Sequence, residues 1–116
     1  MEPTPRLTVL RVCGIAEYGL QRASELHAKY SAIAASSKGH EPERIREILD
    51  AIELIQSLLS DVHRTLCNGD YSLADTVRLQ NRLAKHYNRV MYLSATPTIL
   101  KHIYYEVYRE LEQITF

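Results

Sequence analysis

The stretch LQNRLAKHYNRVMY places an arginine, a histidine and a tyrosine within six positions: Arg82, His86 and Tyr87. Arg82 and His86 are four apart, so on a helix they share a face. Such a pair could be the active site of a small helical enzyme, with the imidazole moving a proton. It could equally be the polar face of a helix that binds something. His63 and Cys67 have the same spacing and would form half of a metal site. A tetrahedral zinc site needs two further ligands. Cys13 and His27 fall on an apolar helical stripe and could approach, but no compact pair such as C-x-x-C accompanies them. The two cysteines are therefore expected to be reduced, buried thiols.

Other chemistries lack their residues. No serine, cysteine or lysine sits in a recognisable nucleophile setting. No glycine-rich phosphate loop follows a strand, and no inward Glu-x-x-His pair marks a di-iron bundle. Asp50, Glu53 and Asp61 read as the solvated face of a helix. No metal and no cofactor is expected, and the chain is read as a protein without catalytic activity.

Four long periodic stretches must position these residues. The first runs from about Leu7 to Ser36, with Val9, Cys13, Ala16, Leu20, Ala23, His27, Tyr30 and Ala34 at alternating spacings of four and three, the seam of a helix packed along its length. Gly14 and Gly19 interrupt it, each at roughly 1 kcal/mol relative to alanine, and either permit close contact or soften the helix. In the second, Pro42 suits a first turn, and Ile45, Ile48, Ile52, Ile55, Leu59, Val62 and Leu66 form the stripe. Leu49 and Leu58 widen it, as in a bundle. Asn68 and Gly69 tolerate the left-handed conformation that ends helices. The third opens at Ser72, with Asp75 three residues on as a capping box. Leu73, Val77, Leu79, Leu83, Ala84, Tyr87, Val90 and Met91 carry its apolar side. Thr96-Pro97 is expected to cap and open the fourth, whose stripe is Leu100, Ile103, Val107, Leu111 and Ile114. Short connections make sequential helices antiparallel neighbours. The expected fold is all-α, an antiparallel four-helix bundle in a single domain spanning 1–116.

Composition narrows the partners. Fourteen Lys and Arg balance fourteen Asp and Glu. Nucleic-acid binders usually show a basic excess and anionic-membrane binders a Lys/Arg face, so neither partner is expected. No apolar run approaches the roughly eighteen residues of a membrane span. The apolar start LTVLRVCGIA is broken by Arg11 and lacks the core of a signal peptide. The chain reads as cytoplasmic, or as a soluble subunit of something larger.

Eight tyrosines stand against one phenylalanine and no tryptophan, and Tyr87, Tyr92, Tyr104, Tyr105 and Tyr108 fall in the last two helices. They are either boundary residues with packed rings and wet hydroxyls or a recognition surface. Because four helices bury only one broad side of each, Leu83, Tyr87, Met91, Tyr104 and Tyr108 are expected to stay partly uncovered and to bind a protein partner.

Two family resemblances bear on these options. QNRLAKHY resembles the R-N-x-x-x-H-x-Y box of HEPN-type ribonuclease toxins, which are also small helical bundles. Aligned so, Gln80 stands for the arginine and Lys85 for the histidine, while Asn81 and Tyr87 match. The groups that would cleave RNA are the ones replaced.

Three further segments resemble the flagellar secretion chaperones of the FliS family. PTPRLTVLRVCGIAEYGLQRASE is similar to that family's opening, and IREILDAIELIQSLLSDVHRTL to its second helix. GDYSLADTVRLQNRLAKHYNRVMYLSATPTILKHIYYEVYRELEQI runs without a gap along its last two helices. The family's tyrosine-bearing start is reduced to MEPT, and Asn81 and Leu83 stand at two of its tyrosine positions. The resemblance implies a cytosolic export chaperone. Its partner would be a flagellin-like or other exported subunit, held in grooves between helices so that it does not assemble early.

Overall fold

The computed structural model describes residues 5–36 and 42–115, and among them every regular element is a helix. The elements are α1 (Pro5–Ser36), α2 (Pro42–Leu66), α3 (Leu73–Tyr92) and α4 (Thr98–Thr115). The irregular start at Pro3 and most of the SSKGHEP break lie outside the described residues. Pro5 and Pro42 each open a helix, where a missing N–H costs nothing.

The four helices form the expected bundle. α1 packs against α2 and α4, and α3 against α4 and, more sparsely, α2. The core gathers Val12, Ala16, Ile52, Ile55, Leu59, Val62, Leu79, Leu83, Leu100, Tyr104, Val107 and Leu111. α1 departs from its expected seam. Its buried line is Val9, Val12, Ala16, Gly19 and Ala23, whereas Cys13, Leu20, His27 and Tyr30 are half-buried and Ala34 is exposed. At about 1.5 Å per residue α1 is roughly 48 Å long. With 32 residues against 18 in α4, it outlasts the helix it packs on. Gly19 marks the closest approach: a Cβ there would stand 2.6 Å from Ile103 Cγ2 and 2.7 Å from Leu59 Cδ1, while at Gly14 it would meet nothing.

The expected helix signals are visible locally. Gly69 has φ of 79° beyond the end of α2, a conformation that side chains disfavour. Ser72 Oγ accepts from the Asp75 N–H at 3.2 Å, and Asp75 Oδ2 accepts from the Ser72 N–H at 2.9 Å, a complete capping box. Thr96 differs from expectation. The first bonds of α4 go to the Pro97 carbonyl, from Leu100 and Lys101, and the buried Thr96 hydroxyl has no hydrogen-bond partner among the described residues.

The cysteines also differ. Cys13 and Cys67 are joined in a disulfide, with Cα atoms 5.7 Å apart. Antiparallel packing brings the third turn of α1 beside the end of α2, and both residues are half-buried rather than enclosed. Tying residues 54 apart removes unfolded-state entropy worth about 4 kcal/mol in the chain-entropy treatment.

Candidate protein-binding face

α3 is the element on which most candidate residues meet, and it has two different flanks. Its flank toward α2 is charged. Asp61, placed by α2 with a side chain only 6% exposed, accepts from Arg78 Nη1 at 2.9 Å and Arg78 Nη2 at 3.3 Å. Arg82 Nη1 donates to the same carboxylate at 2.6 Å and Nη2 to Ser57 Oγ at 3.2 Å. Arg64 stands at 3.6 Å, and Thr65 links carboxylate and guanidinium. Burial works to raise the Asp61 pKa, but the hydrogen bonds and charges of Arg78 and Arg82 outweigh it and hold the carboxyl down to about 2. Asp61 is therefore not part of a solvated face, and Arg82 is bonded to it rather than standing free. His86, half-buried, is kept below the ordinary imidazole value by burial and then by Lys85, Arg82 and Arg89. At the ribonuclease-box positions, Gln80 is buried and Lys85 exposed.

The flank toward α4 is aromatic. Tyr104 is fully buried, and its hydroxyl donates to the backbone carbonyl of Leu83. Burial pushes its phenol far above the ordinary value, helped by Tyr108 and Tyr87. The Tyr87 ring centre is 4.9 Å from that of Tyr108 and 6.4 Å from that of Tyr104, both tilted, a favoured arrangement for ring pairs. Met91 packs half-buried against the core with Tyr87 and Tyr108. Tyr105 and Tyr92 are 41% and 79% exposed. After burial, the neighbours that raise the Tyr87 pKa are Tyr105, Tyr92, Tyr108 and Glu112.

The expected partial exposure holds for Tyr87, Met91 and Tyr108 and fails for Leu83 and Tyr104. Both are fully buried, because α3 turns Leu83 to the bundle axis and α4 sends Tyr104 over it to bond its carbonyl. A partner could touch only the first three directly, together with Tyr105 and Tyr92.

Comparison with protein-family models, with curated proteins and with solved structures gives no match.

Hollows also lie away from the aromatic flank. One of about 180 Å³ lies between α2 and the end of α3, lined by Asp50, Leu54, Arg89, Val90 and Thr96 among others; it is below the usual size of a small-molecule pocket. A second, of about 620 Å³, lies over the disulfide with Leu10, His63 and Tyr71 on its walls. The His63 and Cys67 half-site is not assembled, since the Cys67 sulfur is bonded to Cys13. Among the described residues no cluster of three or more His, Cys, Asp and Glu could hold a metal ion. None of their helices is long and apolar enough to cross a membrane.

A polar chain across α1 and α2 went unseen in the sequence. Ser31 Oγ lies 3.4 Å from His27 Nδ1, and His27 Nε2 lies 3.2 Å from Glu53 Oε1. The His27 and Ser31 spacing was a local sign, but Glu53 is 26 residues away from His27 and only helix pairing brings it in.

Proposed function

We propose that the protein is an adaptor or export chaperone that receives an amphipathic segment of a protein partner along α3 and α4. The observation that carries this reading is the half-buried Tyr87 and Tyr108 ring pair, with Met91 also half-buried against the core and Tyr92 and Tyr105 exposed on the same two helices. Tyrosine offers a large contact area at low entropic cost, and methionine adapts its shape. A helical segment would lay apolar residues over this surface in the helix-in-groove mode. The resemblance to flagellar secretion chaperones supports a flagellin-like or other exported subunit as the partner. The disulfide weighs against the cytoplasmic placement that goes with that resemblance, because reducing compartments rarely keep such bonds.

The test is titration of the protein with a disordered C-terminal flagellin segment. Tyr87→Ala and Tyr108→Ala are each expected to weaken binding by about 1 kcal/mol or more, the scale of an interface anchor, with helicity unchanged. If the parent binds and both variants bind as tightly, the face lies elsewhere. If the parent does not bind, a flagellin-like partner is ruled out.

A further inference from the structure

The chain from Ser31 through His27 to Glu53 has the connectivity of a nucleophile, a base and an orienting carboxylate. The four-residue spacing on α1 stacks Ser31 and His27 on one side, and α2 supplies Glu53 from across the seam. An ionised carboxylate only accepts hydrogen bonds. With Glu53 Oε1 at 3.2 Å, the proton of the neutral imidazole is held on Nε2. That leaves the Nδ1 lone pair facing the Ser31 hydroxyl at 3.4 Å. A serine, a base that can take its proton and a group that fixes the tautomer are the parts of nucleophilic catalysis, here with the two ring nitrogens exchanged relative to the serine proteases. Ser31 is half-buried, and the His27 and Glu53 side chains are open to solvent on one side. One turn further along α1, Ala34 helps line a hollow of about 300 Å³ with Ile45 and Leu49, and Arg46 lies at the same place.

We propose that Ser31, His27 and Glu53 form an acyl-accepting site whose substrates are small activated carboxylic esters or thioesters, with the acyl chain turned toward the Ala34, Ile45 and Leu49 hollow. Ser31 Oγ attacks the carbonyl carbon while its proton passes to His27 Nδ1. The bond from carbon to the leaving oxygen or sulfur then breaks, and the leaving group takes that proton. Ser31 is left as an ester. Water, deprotonated by the same nitrogen, attacks that ester and releases the acid, and Ser31 recovers its proton. Glu53 holds the imidazole and balances its charge throughout. Because Ser31 lies inside α1, its backbone N–H serves the helix and not an oxyanion. Covalent acylation, rather than fast turnover, is the expected behaviour.

The experiment mixes the full chain with 4-nitrophenyl acetate, follows nitrophenolate release and maps the adduct by mass spectrometry. The expected result is one acetyl group on Ser31. Ser31→Ala should remove that adduct. His27→Gln should slow its formation by roughly a hundredfold, the low end for a positioned base, and Glu53→Gln by less. His63→Ala and His102→Ala control for direct attack by other imidazoles and should leave the Ser31 adduct unchanged. Circular dichroism should show all variants as helical as the parent. An adduct elsewhere, no adduct, or undiminished acylation of Ser31 in His27→Gln would overturn the proposal. Labelling with a fluorophosphonate provides a second readout on the same serine, and its absence in the parent would count against the site. Neither readout involves the α3 and α4 face, so failure here and failure of partner binding are separate results.

Discussion

The two flanks of α3 are closed by different means. Toward α2, sparse packing is bridged by Arg78 and Arg82 converging on Asp61. Toward α4, a buried tyrosine fills the gap, and the tilted ring of Tyr87 links it to Tyr108. A charged bridge needs its partners at set distances. Tilted rings can pack on the core and still stay half-exposed, as Tyr87 and Tyr108 do. The difference teaches that one helix can be fastened by two kinds of contact: charge holds α3 to α2, while packed rings hold it to α4 and leave Tyr87, Met91 and Tyr108 half-exposed.

The largest expected effect separates the buried ring from the exposed ones. Tyr104→Ala should destabilise the protein by about 3 to 5 kcal/mol, as truncations of buried aromatics do, read from urea midpoints. Tyr104→Phe should cost about 1 kcal/mol, for the hydrogen bond alone. A loss below 1 kcal/mol in Tyr104→Ala would mean that the aromatic flank does not close the core.

The charged flank is broken by acid. The Asp61 pKa falls from 3.8 to about 2 on folding, so the folded state favours the carboxylate. Its contribution is fully present above pH 4, on the order of 2 kcal/mol at 1.36 kcal/mol per unit. It is lost as pH falls through about 2. Asp61→Asn should therefore be less stable than the parent by about that amount at pH 7, with the gap closing by pH 2. An equal gap at both values would assign the cost to packing rather than charge.

The smallest effect sharpens the contrast within the aromatic flank. Tyr92, 79% exposed, can be changed to alanine with a stability change within about 0.5 kcal/mol. A larger loss would show that the outer ring is part of the fold and not of the open face.

What could be read from the chain alone was local. The stripe of Ile52, Ile55, Leu59 and Val62, the Ser72 and Asp75 capping box and the stop at Gly69 depend on neighbours within about two turns, where the 3.6-residue period governs. They sufficed for four helices and for their bundling. What depended on the rotation and axial offset of one helix against another was decided by the tertiary structure. Cys13 and Cys67 looked like separate thiols until the antiparallel pairing of α1 and α2 set their Cα atoms 5.7 Å apart. Asp61 looked solvated because Arg78 and Arg82 reach it from another helix. Tyr87 and Tyr104 had the same reading in sequence, and only the turn of α4 against α3 buried one and left the other half open. Gly19 could have been a soft point; the close approach of Ile103 and Leu59 makes it a contact. Period along a helix is written in the spacing of its residues. The angle at which two helices meet follows from the fit of all their side chains together.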